Sequence, residues 1–361
     1  MVNLPWKIYR MTIWTSKKNC VIKMDLNLKD NLIAALTTED NEITPVGSFP
    51  ATCMIELMEK EGVSWPKGHT DAEYMAKIAA SAYEHVGLES MVLPFDLCFE
   101  AEALGCEVLL TDHDNSSQTT NCPFTIDDFE ADPDFIHNAR FPAMIEATKI
   151  LQDKYDDVPI VGAMSGPITV LGQCLGIEGV LKDVNTKVNT VEDALDEMTM
   201  ALTEQVELYN ELEMDAIVLY EPNGAPELLA PPLFERLLNP LHEELTDASD
   251  IPMVLHVCGN SLPQLENMMS CGYQGVSIAD DVNLDDAHAV REKLGSDTVV
   301  CGNISVTDTL FMKSPEDVKA EVTTALEKNV NVVLPACMIA PLSPAQNVKA
   351  MIDARNEYFG I

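Results

Sequence analysis

Residues 252–260 read PMVLHVCGN. The apolar run Met253-Val254-Leu255 ends in His256, and Cys258 follows two positions later, before Gly259 and Asn260. Side chains alternate along a strand, so His256 and Cys258 leave the strand end on one face and can share a ligand. Residues 331–341, NVVLPACMIAP, repeat the arrangement: an apolar strand and then Cys337, set in irregular backbone between Pro335 and Pro341.

Outward from these two strand ends, short β-type runs alternate with amphipathic helical stretches from Met24 onward. Strands are expected at 43–48, 90–93, 159–163, 215–220, 252–256, 275–279, 298–302 and 331–334, with helices at 71–85, 191–213, 262–271 and 315–328 among them. Such alternation argues for βα units around a parallel sheet. Eight units point to α/β architecture of the TIM type, one (β/α)8 barrel over residues 24–361, although a doubly wound sheet would give a similar string. In a barrel both strand ends open at one mouth, the face where barrel enzymes place their chemistry. The polar stretch 111–134, with paired acids and two prolines, reads as a loop or hairpin excursion.

Composition narrows the function classes. Apolar residues make up 47% of the 361 and charged residues 22%, which is material for a buried core. No apolar run approaches the roughly 18–20 residues that cross a bilayer. Fifty-nine acidic against 22 basic residues give a formal net charge of −37, which repels nucleic acid and suits a solvated surface in a salt-rich cytoplasm. Ten cysteines spread along so long a chain with no secretory signal read as reduced thiols, most of them small buried side chains. Residues 1–23 stand apart: they hold Lys7, Arg10, Lys17, Lys18 and Lys23 and no acid, and are expected to be a basic appendage outside the fold.

Sulfur and imidazole donors suit Zn²⁺ in a four-coordinate site. His256, Cys258 and Cys337 are therefore the expected zinc ligands. Three protein ligands leave one position open, as a catalytic site requires.

The runs HVCGN (256–260) and PACMIAPLSPAQNVKAMI (335–352), with the C-x-x-A-P-x-x-P pattern inside the second, resemble the methylcobamide:coenzyme M methyltransferases of methanogens, in the uroporphyrinogen decarboxylase-like barrel family. VGAMSGPITV (161–170), MVLPFDLCFEAEALGCEV (91–108) and CGNISV (301–306) are similar to that family too, so the resemblance runs from about Asn27 to Glu357. It implies that the thiol of coenzyme M takes the open zinc position, loses its proton and attacks the methyl group of a methylated corrinoid, which a small corrinoid carrier protein presents at the barrel mouth. Met338, Ile339 and Leu342 are candidates for apolar contact there, and Asn260 and Met338 for contact with the corrinoid. The chain departs from the family at Ala336-Cys337-Met338, where Gly-Cys-Gly is usual, so the space beside the metal is expected to be narrower. Asp280, after the run 275–279, is a candidate fourth ligand, and Glu221, after DAIVLY, a candidate to orient His256 or Asn260. The sulfonate of coenzyme M calls for an amide nest, an Asn or a lone Lys or Arg, which the sequence does not single out.

Three alternatives remain open at this point. Uroporphyrinogen decarboxylase acts on a substrate with many carboxylates and uses an early arginine-rich motif, but the matching stretch here, PVGSFPATCMIELM (45–58), has no arginine. A related corrinoid methyltransferase with another thiol or methyl donor fits the same ligands. A corrinoid-handling protein without catalysis would need a closed zinc site, and no second H-x-C or C-x-x-C pair supplies the fourth ligand.

Overall fold

The computed structural model describes residues 26–37, 41–112, 117–121 and 123–361. The segment 1–23 lies outside them. The described residues form nine strands: β1 Met91–Leu93, β2 Glu107–Leu109, β3 Gln118–Asn121, β4 Ile160–Ser165, β5 Ala216–Tyr220, β6 Met253–His256, β7 Gly275–Ser277, β8 Val299–Ile304 and β9 Val332–Pro335. Seven form one sheet in the order β1-β4-β5-β6-β7-β8-β9, every pairing parallel. Chain order and spatial order coincide, which is the winding of a barrel and excludes the doubly wound alternative.

The eighth place belongs to residues 43–48, which close the ring without forming a regular strand. Val46 lies opposite Val333; Gly47 N donates to Val333 O at 3.1 Å, Val333 N to Pro45 O at 2.9 Å, and Glu89 N to Val46 O at 2.9 Å. Side chains take the amides that a ladder would use, since Val46 N donates to Glu89 Oε2 and Ser48 N to Ser90 Oγ, both at 2.9 Å. Pro45 has no N–H to give. Arg355, from the last helix, Ala345–Phe359, holds the segment from outside through Thr44 O at 2.8 Å and the buried Glu89 carboxylate.

Strand alternation divides the core. Val161, Ala163, Ala216, Val218, Tyr220, Val254, Val299, Cys301, Val332 and Leu334 fill the barrel, while their neighbours Ile160, Met164, Ile217, Leu219, Leu255 and Val333 face the surrounding helices. The helix Leu28–Leu36 buries Leu32, Ala35 and Leu36 against the interior set and closes the end away from the strand C-termini. The expected helices appear as Ala72–Val86, Val188–Glu211 and Pro315–Glu327. The one expected at 262–271 divides into a 3₁₀ turn, Leu262–Gln264, and the helix Leu265–Ser270, because the buried Gln264 amide donates to Gly224 O and Leu229 O. The polar excursion is a hairpin, with β2 and β3 antiparallel. Among the described residues no helix is long and apolar enough to cross a membrane.

Candidate metal centre

Interior parity on β6 runs from Val254 to His256, so the imidazole points into the barrel at its C-terminal mouth, beside Tyr220 and Ser277 on the neighbouring strands. Ser277 fixes the ring. Its carbonyl and hydroxyl oxygens both lie 3.2 Å from His256 Nδ1, and a carbonyl can only accept, so Nδ1 carries the proton and Nε2 presents its lone pair. The Tyr220 ring stands edge-on to the imidazole at 6.1 Å, held by a hydrogen bond from its hydroxyl to Phe49 O at 2.7 Å.

Cys258 leaves on the same side. Its Sγ is 3.3 Å from His256 Nε2 and 3.8 Å from Cys337 Sγ, and the three ligand atoms lie within 4.8 Å of one another. A tetrahedral zinc with bonds of about 2.3 Å to sulfur and about 2.0 Å to nitrogen places two sulfurs about 3.8 Å apart and a nitrogen and a sulfur about 3.5 Å apart. The Cys258 separations from His256 and from Cys337, 3.3 and 3.8 Å, match those values to within about 0.2 Å. Gly259, at φ +72°, turns the chain away directly after Cys258 in a conformation that a side chain would strain.

The two thiols ionise as a pair. The hydrogen bond from Cys258 holds the Cys337 thiol down to about 4 against its burial, helped by the His256 ring and the Met338 amide. The same hydrogen bond, with burial, pushes Cys258 up. The hydrogen bond between the two thus favours a single thiolate, on Cys337, and a bound cation would favour loss of the second proton. Among the described residues these are also the two partly exposed thiols, whereas Cys53, Cys98, Cys106, Cys174, Cys271 and Cys301 are buried. A narrow cleft of about 30 Å³ reaches the ligands between Pro50, Leu97, Tyr220, Pro222 and Met338.

Other expected site residues fall differently. Met338 lines the cleft, Ile339 is buried, and Leu342 is 68% exposed. Asn260 and Asp280 are exposed, and the Asp280 carboxylate is not among the clustered donor atoms. Glu221 turns away from the mouth: Tyr220 points inward, so the next side chain points to the helix layer. There its carboxylate is fully buried, accepts from Thr169 N at 2.9 Å and from the Thr169 hydroxyl, and lies 3.6 Å from His242 Nε2. Only the Glu221 backbone meets the site, its N–H donating to His256 O at 2.9 Å. Ser277 carries no motif of its own, and only the parity of 275–279 places it beside His256. Pro50 and Leu97 carried no local signal, since ring closure alone brings them to the cleft.

The profile of the uroporphyrinogen decarboxylase (URO-D) family matches residues 27–358. A methylcobamide:CoM methyltransferase MtaA of Methanosarcina barkeri is 34% identical over 338 residues, 93% of this chain and 99% of that protein. A methylcobamide:CoM methyltransferase MtbA of Methanosarcina acetivorans is 28% identical over 336 residues, 91% of this chain and 98% of that protein. The solved structure of a methyltransferase from Methanosarcina mazei superposes with a TM-score of 0.88 at 34% identity, covering 92% of this chain and 99% of that one. With a barrel mouth that gathers one imidazole and two thiols, and relatives that match it end to end, the chain belongs to the uroporphyrinogen decarboxylase family and is an enzyme of its methyl-transferring branch.

Proposed function

We propose that this enzyme moves a methyl group from a methylated corrinoid, presented by a carrier protein, to the thiol of coenzyme M, at a zinc ion held by His256, Cys258 and Cys337, in the cytoplasm of a cell that makes methane from methylated compounds. The observation that carries the reading is the closure of those three donor atoms to within 4.8 Å at a mouth whose free side is the cleft. The named activities of the relatives support it.

A bound zinc ion supplies Lewis acidity that lets a thiol lose its proton near neutral pH. The chain's own residues do the rest. Ser277 keeps His256 Nε2 unprotonated and aimed, Cys258 and Cys337 bring negative charge to the site, and Tyr220, Leu97 and Met338 keep water from the reacting sulfur. The transfer forms one carbon–sulfur bond and breaks one carbon–cobalt bond. Both electrons of the broken bond stay on cobalt, and the thiol proton goes to solvent. No side chain need act as acid or base.

The arginines weigh against decarboxylation. Arg140 is buried on Asp96 and Glu102, Arg355 on Glu89, Arg236 pairs with Glu192, and Arg291 donates to the Ser296 and Asp297 carbonyls, so none of these four is free to hold a polycarboxylate. A closed structural zinc site lacks its fourth strong donor among the described residues.

Metal analysis of wild type and Cys337→Ala, paired with loss of the methyl–cobalt absorbance when methylcobalamin is mixed with coenzyme M, tests the reading. One zinc per chain with thiol-dependent demethylation, both lost in the variant, is the expected result. Folded wild type that binds no zinc, or zinc-loaded protein with no thiol-dependent turnover, would overturn it.

A further inference from the structure

A second hollow, of about 260 Å³, lies on the outside of the barrel between the helices Ala72–Val86 and Phe141–Lys154, and shares no residue with the cleft. Its floor is apolar: Ala76, Ala80 and Leu151 are buried there and Ile150 is half-buried. It is smaller than the roughly 300–1,000 Å³ of small-molecule sites and suits the side chains of a peptide. Its surroundings are acidic. Residues 71–87 and 141–157, the two helices with their flanking turns, carry seven acids against three lysines, and one of the three, Lys154, is held by Glu84 at 2.7 Å.

The start of the described chain passes one end of this groove. Lys29 N donates to Asp157 O at 3.0 Å, and Tyr155, two positions before Asp157, lines the groove. Residues 1–23 lead into that point. They hold five cations and no acid, among the apolar Trp6, Ile8, Tyr9, Ile13 and Trp14, while the rest of the chain carries all 59 acids. Attraction therefore favours their return to the surface they leave. The groove from Glu73 to Glu84 is roughly 16 Å long at about 1.5 Å per helical residue, and 23 extended residues reach roughly 75 Å. The family profile begins at residue 27, so the segment is additional to the barrel. We propose that residues 1–23 fold back onto their own barrel and lie in this groove, with an aromatic side chain on the apolar floor and the cations against the acids around it. Tryptophan suits that floor, since it buries a large area with few rotamers to fix. The strap so formed ties two outer helices together and needs neither zinc nor corrinoid.

The test uses the full chain. Of its three tryptophans, Trp65 is 5% exposed, and Trp6 and Trp14 belong to the segment, so acrylamide quenching of the indole emission reports on the segment. Wild type is expected to quench weakly at every protein concentration. Ala80→Arg plants a charged chain on the floor, and the double variant Glu73→Lys, Asp157→Lys reverses an exposed acid at each end of the groove. Each is expected to raise quenching severalfold and move the emission to the red. A carbodiimide, which joins a carboxylate to a neighbouring lysine as an amide and takes up the water released, reads wild type without any substitution: cross-links from Lys7, Lys17, Lys18 or Lys23 are expected at Glu73, Glu84 or Asp157. Indoles as open to the quencher in wild type as in the variants, or cross-links scattered over the surface, would overturn the docking. Protection that vanishes on dilution would give the groove to the segment of a second copy, and protection that both folded variants leave intact would put the segment elsewhere, and either result overturns it too.

Discussion

Glu100 is the buried carboxyl on which the mouth rests. Its Oε1 accepts from Ser165 N and from Gln205 Nε2, both at 3.1 Å, and its Oε2 meets no donor. Ser165 in turn donates through its hydroxyl to Leu97 O at 3.0 Å, and Leu97 is a wall of the cleft. Burial raises the Glu100 carboxyl to about 7, while the bonds from Gln205 and Ser165 pull the other way. An unfolded glutamate titrates near ~4.3, so between these values the native state keeps a proton that the unfolded state has lost. The stability that the neutral carboxyl contributes is complete below ~4 and disappears as the pH rises through about 7. The charged form then costs on the order of 3 kcal/mol. Glu100→Gln keeps an oxygen for Ser165 N and removes the charge, so it should stabilise the protein by about 1–3 kcal/mol at pH 8 and by almost nothing at pH 4. Urea unfolding at both pH values measures this, and an equal effect at the two would show that folding does not raise the carboxyl above its unfolded range.

Between elements, the fit of β4 to β5 depends on one absent methyl group. Gly166 caps the helix Pro167–Leu175 at φ −80°, where any residue is comfortable, so only space selects glycine. A Cβ there would stand 2.2 Å from Glu221 Oε2 and 2.6 Å from its Cδ. The carboxylate cannot retreat without losing Thr169, nor can Gly166 without losing its 2.7 Å bond to Tyr220 O. Gly166→Ala should therefore cost about 2–3 kcal/mol and shift Tyr220 against His256, lowering zinc affinity along with stability. Denaturant unfolding and chelator competition read the two effects, and a loss of stability with zinc affinity unchanged would break the proposed link from Glu221 to the site. The same elements show what the sequence could and could not tell. Apolar runs leading to His256 and Cys337 were enough to expect these side chains at one mouth, because strand alternation and a shared mouth are local rules applied twice. Glu221 was misdirected where that rule was not carried one residue further, from Tyr220 inward to its neighbour outward. The closing segment 43–48 looked like a strand, but Glu89 and Ser90 claim its amides from more than forty residues away, which no local pattern reveals. Pro50 and Leu97 line one cleft from segments that are far apart in sequence, beyond the reach of any local pattern.

Across the whole molecule, charge is the least balanced quantity. Among the described residues most surface cations are already paired, as in Lys60 with Glu56, Lys67 with Asp71, Lys154 with Glu84 and Lys349 with Asp353, so the acidic excess of 37 is spread over carboxylates that repel one another. Exposed pairs contribute at most about 1 kcal/mol each and weaken with salt, whereas the repulsion summed over the surface is relieved by it. The buried pairs Arg140–Asp96 and Arg355–Glu89 lie out of reach of screening and should hold at any ionic strength. Raising KCl from about 0.1 M to about 1 M shortens the screening length from about 10 Å to about 3 Å. The melting temperature should then rise by roughly 5 °C or more, most of it below about 1 M. Saturation identifies the cause, because a gain from salt excluded from the protein surface would continue to grow with concentration. Thermal melts at a series of KCl concentrations decide the matter: a curve that flattens once the screening length falls below the spacing of the carboxylates supports repulsion as the term relieved. A linear rise, or none, would place the acidic surface outside the stability balance and leave solubility in concentrated salt as its physical role.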